Sequence, residues 1–594
     1  MGAAPRRGRA PGPDWASGPA PAGPSRRRGN FLRRGPRPGR TRPRVFYLKN
    51  AEGAAADLYV RDTPESEARI ALPAKALGPG RLQWWQPSPD GLLLAYGVLA
   101  PGGDVELRVR DVESALDLPD RISRAPGGLA WASGRIGFYY VRGPDPRADP
   151  AAAAPRTRVL WHQLGQAPVD DEPVYEAKPD ASRWELQASR DGAWLLLTIW
   201  TGPQRSEVFI QDRRSAGAPW VGLKTGQNAA YRGLFHDRTL YLLTDEAAPR
   251  GRILAADLRR LDRIRWRQIL AESRFPAADF ALTKGALVLT VLERGISRMQ
   301  LYDLKGRPRG EASLPGPGRV AALAGDPRQE ELLFIWESLA DPPALYRHNT
   351  RTAVRARVDA GPWDNDEYEQ KYVEFKSGAG ASAGMFLLTS PWLKQDGERP
   401  TVIAAAAGGE PSPPPAFSAQ AAAWVRQGGV WAAVLPRTST PAAPAAITDL
   451  MAAGYWLTDH EYTKPGRLAV LGAGAGAGLA AQAAAGAPTL FKSLVLIQPE
   501  AGLSLRLKLP ATLLLSGPCP DVYAAMPGLQ LASAKAHYEE PFWLRWEPLG
   551  CTALPPDKAA SELLDIQSFL LWNLEAETPD TPQPSGNKPL APRP

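Results

Sequence analysis

The sequence has few of the residues that form disulfides or bind metals. Its 594 residues include only two cysteines, Cys519 and Cys551, which excludes a scaffold held by several disulfide bonds. Its five histidines include no pair at a metal-ligand spacing such as i, i+4, so we expect no metal site and no cofactor. These histidines are His162, His236, His348, His460 and His537. Without a run of about 18 apolar residues or an apolar signal segment, the sequence predicts no transmembrane helix and no secretory signal.

The formal charge of +9 is concentrated at the start of the chain. Residues 1–44 carry twelve arginines and one acid, Asp14, a net charge of +11, so the remaining residues sum to −2. The body of the protein is therefore not a basic surface for nucleic acid, which only the leader could contact, and weakly. Residues 1–43, rich in arginine, proline and glycine, are predicted to be a disordered leader. We expect a cytoplasmic location, with a mitochondrial transit peptide as the alternative interpretation of the leader.

A repeating β pattern fills residues 44–365. Short alternating strands are separated by turn residues, as in the Ser-Pro-Asp-Gly stretch at 88–91. A unit of apolar strand, polar turn and second apolar strand recurs at steps of 41 to 57 residues. The units begin near Trp84, Leu129, Leu186, Tyr231, Asp279 and Val320. With an opening hairpin at 44–62, this spacing predicts a β-propeller of about seven blades, and the alternative is an irregular all-β domain.

The pattern changes after about residue 366. Apolar strands near 401–403, 430–434, 467–471 and 494–497 alternate with alanine-rich helical stretches near 447–457 and 479–485. Such alternation predicts a mostly parallel sheet covered by helices. A last helix is predicted over 559–574, which gives an α/β domain over 366–575. The proline-rich residues 576–594 are predicted to be a disordered tail.

Several motifs resemble the prolyl oligopeptidase family. Residues 44–48, 58–62 and 67–69 resemble its first blade, and 454–457 with 462–468 resemble the segments before its catalytic serine. Residues 487–491, Ala-Pro-Thr-Leu-Phe, resemble the segment after its nucleophile helix. The resemblance implies a propeller joined to an α/β-hydrolase domain, and a serine endopeptidase that cleaves short peptides after proline. The N-terminal segment that completes the family's hydrolase domain is not recognisable here, so we expect a truncated hydrolase domain.

The three catalytic positions that the resemblance implies hold other residues. Counting back from Pro488 and Phe491 places the nucleophile position at Gly474, and no serine, threonine or cysteine lies between residues 467 and 487. The acid position falls at Cys519 or at Pro520, with Asp521 nearby. The base position falls at Cys551.

The oxyanion-stabilising tyrosine is also replaced, because an alanine run at 404–407 precedes the Gly-Gly pair at 408–409. We therefore expect an inactive pseudopeptidase that acts by binding a peptide or protein through the propeller channel and domain interface, as a monomer. An active hydrolase with a displaced site is the alternative. The two cysteines, lying in the emptied acid and base loops, are predicted to be close in space.

The glycine run Gly472–Gly478 permits a rival interpretation. Gly472, Gly474 and Ala477 fit the dinucleotide fingerprint, and Glu500 follows the next strand where a ribose-binding acid would lie. The structural alternative is a close strand–helix contact without a ligand. The flanking strands fit the hydrolase order better than the dinucleotide order.

Overall fold

The computed structural model describes most of the chain in fifteen segments. They are residues 32–36, 43–49, 56–132, 136–144, 157–177, 183–202, 204–215, 217–259, 265–358, 366–405, 416–435, 444–499, 508–517, 541–546 and 556–575. The leader before residue 32 and the tail after residue 575 lie outside them. No helix in these segments is long and apolar enough to cross a membrane.

Seven four-stranded antiparallel sheets form the first domain, a seven-bladed propeller. Blades 1 to 4 contain β1 (Leu32–Pro36), β2 (Pro43–Lys49), β3 (Asp57–Arg61), β4 (Arg69–Leu72); β5 (Arg81–Pro87), β6 (Leu93–Leu99), β7 (Val105–Asp111), β8 (Asp117–Ile122); β9 (Leu129–Trp131), β10 (Gly137–Arg142), β11 (Thr157–Gln163), β12 (Glu172–Ala177); and β13 (Arg183–Ala188), β14 (Trp194–Gly202), β15 (Arg205–Asp212), β16 (Trp220–Lys224). Blades 5 to 7 contain β17 (Tyr231–His236), β18 (Thr239–Thr244), β19 (Arg252–Asp257), β20 (Arg267–Leu270); β21 (Ala277–Leu282), β22 (Leu287–Glu293), β23 (Ile296–Tyr302), β24 (Pro308–Ala312); and β25 (Arg319–Gly325), β26 (Glu331–Glu337), β27 (Ala344–Asn349), β28 (Arg355–Arg357).

Local turn chemistry explains the repeat. In blade 2, the hydroxyl of Ser88 is 2.6 Å from Asp90 Oδ1 and accepts the amide of Leu93 at 2.9 Å. In blade 4, the hydroxyl of Ser189 is 2.6 Å from Asp191 Oδ1 and accepts the next strand's first amide in the same way. Each turn then passes through a glycine at φ near +70°, a conformation that glycine adopts without strain. The Ser-x-Asp-Gly turns seen in the sequence therefore set the first hairpin of two blades.

The blades pack side by side through apolar faces and are joined by tryptophans. The indole of Trp84 donates to the carbonyl of Ala125 at 2.9 Å, and the indole of Trp220 donates to Val174 at 2.7 Å. Each blade uses four consecutive strands among the described residues, so none of these blades combines the first and last strands of the propeller. In the described segments no strand of blade 1 pairs with a strand of blade 7, and side chains including the buried Val45, Leu333 and Ile335 pack between the two blades.

The second domain is an eight-stranded sheet with helices on both faces. Its strands are β29 (Glu369–Lys376), β30 (Ser382–Thr389), β31 (Thr401–Ala405), β32 (Val430–Leu435), β33 (Leu468–Ala473), β34 (Ser493–Ile497), β35 (Ala511–Ser516) and β36 (Phe542–Trp546). Its helices are α1 (Ala419–Arg426), α2 (Pro444–Asp459), α3 (Ala475–Gly486) and α4 (Pro556–Asn573). The order is β29-β30-β32-β31-β33-β34-β35-β36.

Pairing in this sheet is antiparallel between β29 and β30 and between β30 and β32, and parallel across the remaining strands. Helices α2 and α3 cover one face, where the alanine-rich side of α3 allows close approach to β33. Helices α1 and α4 cover the other face with Trp424, Ile566 and Leu570. The carboxyl ends of the parallel strands, where ligands bind in open α/β sheets, therefore meet at one edge of this layer.

The structure corrects one boundary of the prediction. The segment predicted as a leader, residues 1–43, overlaps the propeller, because β1 pairs with β2 and is the first strand of blade 1. Its sequence, Leu-Arg-Arg-Gly-Pro, has no apolar alternation, so a pattern of side chains could not reveal it. The predicted unit starts from Trp84 to Val320 fall in the first strands of blades 2 to 7.

Candidate functional site

The sequence-predicted nucleophile position lies on a tight turn between β33 and α3. Gly474 has φ 54° and ψ −124°, a left-handed conformation that strains any residue with a side chain. Its amide donates to the carbonyl of Ile497 at 2.8 Å, and its carbonyl accepts the amide of Ala477 at 3.1 Å. A strained strand-to-helix turn of this kind is the backbone that presents the serine in α/β-hydrolases. Residue counting places the nucleophile position on this turn, and that assignment stays a prediction.

Close packing explains the first glycine of the run. A Cβ added to Gly472 would lie 2.3 Å from the carbonyl oxygen of Gly476 and 2.7 Å from the Cα of Ala477, both backbone atoms. Strand and helix approach so closely here that only glycine fits. This contact accounts for Gly472 without any bound ligand.

The turn carries no group that could act as a nucleophile. Gly474 is half-buried and has no side chain, and its neighbours Ala473 and Ala475 end in methyl groups. Because a covalent mechanism needs a hydroxyl or thiol beside a base, this turn cannot form an acyl-enzyme. What remains is backbone: the first amides of α3 lack partners within the helix, as at any helix N-terminus.

The alanine run predicted at the oxyanion position begins beside this turn. Ala405, at the end of β31, is in register with Gly472 on the neighbouring strand β33. Neither Ala404 nor Ala405 can donate a hydrogen bond from its side chain. The rest of the alanine run and the Gly-Gly pair, residues 406–409, lie outside the described segments.

The predicted acid and base positions also lie outside the described segments. These residues are Cys519, Pro520, Asp521 and Cys551, together with His537 and the rival Glu500. The strands before the two loops, β35 and β36, are neighbours, with Ser516 in register with Trp546. The proximity of the two cysteines stays a prediction.

One end of the propeller contacts the second domain. In each blade, the connection between the second and third strands and the connection to the next blade lie at the same end of the ring. At this end of blade 6, Arg294 Nε is 2.9 Å from Glu374 Oε1 on β29. In blade 7, Glu337 Oε2 accepts the amide of Phe417, just before α1, at 3.2 Å. We call this end the domain-facing end.

Gln370 fixes the junction further. Its amide nitrogen donates to the carbonyl of Pro317 at 2.6 Å, and its amide oxygen accepts the amide of Leu339 at 2.8 Å. Leu339 and Ala340, on the same loop of blade 7, are buried in the core of the second domain. The second domain is therefore anchored on blades 6 and 7.

A charged cavity opens at the domain-facing end of blades 4 and 5. It measures about 500 Å³ and is lined by Lys224, Gln227, Asn228, Ala229, Glu246, Ala247 and Arg252. Lys224 Nζ lies 2.7 Å from Glu246 Oε2, and Arg252 Nη2 lies 3.4 Å from the same oxygen. Burial alone would raise the pKa of Glu246, but the hydrogen bond and charge of Lys224, with Arg252, outweigh it and lower that pKa. The group is a carboxylate held between two cations.

Sequence reasoning did not identify this cavity. Its residues come from two connections about twenty residues apart, each with an ordinary loop composition. The pairing of β17 with β18 and of β18 with β19 brings them together.

Comparison with known proteins identifies the same two parts. The profile of the prolyl oligopeptidase N-terminal β-propeller domain matches residues 33–359. A prolyl endopeptidase of Elizabethkingia meningoseptica is 24% identical over 353 residues, covering 58% of this chain and 49% of the relative. A dual function macrocyclase-peptidase of Amanita bisporigera is 22% identical over 438 residues, covering 66% and 59%. This chain thus spans about half to three fifths of the length of these curated relatives.

Solved structures share the fold over most of the chain. A prolyl endopeptidase from a study of inter-domain dynamics in catalysis and specificity superposes with a TM-score of 0.77 at 23% identity, covering 92% of this chain and 90% of that one. Prolyl oligopeptidase B from Galerina marginata, bound to a 35mer substrate, gives 0.78 at 18% identity with the same coverage. With a seven-bladed propeller and a matching profile over more than half its length, the chain belongs to the prolyl oligopeptidase family.

Proposed function

We propose that this chain is a non-catalytic member of the family that binds peptides between the propeller and the second domain and releases them uncleaved. The observation that carries the proposal is Gly474, which occupies the nucleophile turn without a side chain. We also propose that the second domain is an α/β-hydrolase domain with a mostly parallel sheet. Catalytic chemistry would need a hydroxyl, a base and an acid together.

The sequence supports the loss at all three positions. The nearest histidine before the last helix is His537, and none follows it, so the base loop at Cys551 has no imidazole. Without a base, a hydroxyl from elsewhere would stay protonated at neutral pH. An active hydrolase with a displaced site would need a nucleophile, a base and an acid from outside the family's positions.

The dinucleotide interpretation has less support. The fingerprint needs its first glycine for a tight turn before a pyrophosphate, whereas Gly472 is required here by contact with Gly476. The fingerprint normally follows the first strand of its fold, but β33 is the fifth strand of this sheet in chain order.

The proposed absence of catalysis is tested with fluorogenic proline-containing peptides and a serine-reactive fluorophosphonate. We expect turnover no faster than a buffer blank and no labelling of the chain. Gly474→Ser should stay inactive, because acid and base are still missing. Turnover by the unmodified chain, with fluorophosphonate labelling of a residue in it, would refute the proposal.

The binding part needs a separate measurement. The fluorescence anisotropy of fluorescein-labelled proline-containing peptides should rise when the protein is added. Mass spectrometry should then show that the peptides remain intact. Asn228→Trp, which fills the charged cavity, should weaken binding at least about tenfold. Ser114→Trp, an exposed position at the opposite end of blade 2, is the matched control and should bind normally. Equal binding by both variants would show that the cavity is not part of the peptide-binding site. No binding by the unmodified chain would overturn the proposal.

A further inference from the structure

The two edges of the eight-stranded sheet differ in how they are protected. The outer strand β29 carries Glu369, Lys371, Glu374 and Lys376 within eight residues, the charged composition that prevents edge strands from pairing with another chain. The opposite edge strand, β36, reads Phe-Trp-Leu-Arg-Trp. In the described segments no strand pairs with its outer side.

The one charged residue of β36, Arg545, does not protect this edge from pairing with another strand. Arg545 turns back onto α4, where it pairs with Asp565 and donates to the carbonyl of Ser561 at 3.0 Å. Its side chain is therefore committed within the domain.

The backbone direction shows which groups the edge offers. The carbonyl of Pro541 accepts the amide of Thr512 on β35 at 2.9 Å, so residues 541, 543 and 545 point their backbone groups inward. Because successive residues alternate, Phe542, Leu544 and Trp546 direct theirs to the open side. Leu544 lies at the centre of this set.

The surrounding surface is large and apolar. We define the β36–α4 surface by residues that are exposed by 40–82%: Trp543, Leu544, Trp546, Leu564 and Trp572. Its three tryptophans alone expose about 250–400 Å², using about 150–250 Å² for each whole side chain. A standard interface buries about 800 Å² per partner, so these side chains would supply a third to a half of one. The largest apolar patch on a typical monomer is of this order and often has a binding role.

We propose that, in place of the monomer expected from the sequence, two copies of this chain associate through the β36–α4 surface, with their β36 strands antiparallel about a two-fold axis at Leu544. In this register Leu544 lies opposite the same residue of the second copy, and Phe542 lies opposite Trp546, so every hydrogen-bonded pair is apolar. An isologous contact of this kind closes as a dimer and joins two sheets of eight strands. This edge is opposite the β29 side that contacts blade 6, about 30 Å away across seven strand spacings.

Sedimentation equilibrium of the full chain, at concentrations up to about 100 μM, tests the proposal because micromolar affinities are populated there. We expect a particle of twice 64.1 kDa. Leu544→Pro removes an edge-facing amide that β35 does not use, and a proline is tolerated on an open edge. It should raise the dissociation constant at least about tenfold. Trp392→Ser, which removes an exposed tryptophan elsewhere, is the matched control and should dimerise normally.

Leu544→Lys tests the same contact if the proline variant does not fold, because it places like charges opposite each other on the axis. Circular dichroism and thermal melting establish that each variant is folded. A 64.1 kDa monomer at all concentrations, larger open assemblies, or normal dimerisation of a folded Leu544 variant would overturn the proposal.

Discussion

Replacing His162 by leucine should destabilise the propeller by about 3–5 kcal/mol, because it removes one member of a buried ionic group. His162, on β11, is fully buried, with Nδ1 2.7 Å from Asp171 Oδ1 and Nε2 3.0 Å from Asp120 Oδ1. The hydroxyl of Tyr140 donates to Asp171 at 2.7 Å, and the amide of Gly165 donates to Asp120 at 2.6 Å. Since Asp120 belongs to β8 of blade 2, the group joins blades 2 and 3.

The pKa of His162 gives the magnitude independently. Burial, the largest influence, lowers it, but the hydrogen bonds and charges of Asp120 and Asp171 outweigh burial and raise the pKa from 6.5 to about 9. A rise of this size corresponds to about 3 kcal/mol of stability. Because the folded pKa is above the unfolded one, this stability is fully present below pH 6.5 and is lost as pH rises to about 9.

Denaturant unfolding of the propeller, followed by tryptophan fluorescence between pH 6 and 9.5, is the assay. The unmodified chain should lose about 3 kcal/mol across this range and the His162→Leu variant should lose much less. His348→Leu is the matched control, since His348 is equally buried but neither ring nitrogen has a hydrogen-bond partner in the described segments. It should cost less than about 1 kcal/mol or stabilise the protein. A loss below about 1 kcal/mol for His162→Leu, or parallel pH curves for both proteins, would refute the argument.

Three further predictions concern the glycine turn, the chain start and the cysteines. Gly472→Ala on β33 should destabilise the second domain by about 1–3 kcal/mol in thermal or denaturant unfolding, whereas Gly478→Ala on the adjoining helix α3, with open space around its Cβ, should be neutral or stabilising. Equal effects would contradict the close contact at Gly472. Deleting residues 1–31 should leave the thermal transition unchanged, whereas deleting 1–42 removes β1 and should lower it; equal transitions would show that β1 is dispensable. Cys519 and Cys551 should form a disulfide under mild oxidation, detected by non-reducing peptide mapping, and failure to do so would count against their proximity.

The sequence predicted the repeated parts of the fold because their signals are local. Alternating strands and Ser-x-Asp-Gly turns each involve fewer than ten neighbouring residues, and the propeller they predicted is confirmed. The strand-to-helix turn at Gly474 could be predicted because the strand, the glycine run and the helix are adjacent along the chain, whereas its role as the nucleophile position stays a prediction. The strand β1 escaped prediction because it joins the blade through its backbone, and its five residues carry no side-chain pattern.

Features made by several distant segments could not be predicted. His162 and Asp120 are 42 residues apart and lie on different blades, so only the packing of one blade on the next brings them together. The cavity at Lys224, Glu246 and Arg252 likewise depends on how two connections meet at the domain-facing end. In the sequence these residues look like ordinary surface charges.

The side-chain junction between blades 1 and 7 has a consequence for the order of folding. Each blade consists of consecutive strands, so its contacts are local and can form while later blades are still being synthesised. Closing the ring requires residues such as Glu65 and Arg347, an ion pair separated by 282 positions, to meet after blade 7 has formed. We therefore expect an arc of folded blades as the early species and ring closure as a late step, followed by docking of the second domain on blades 6 and 7.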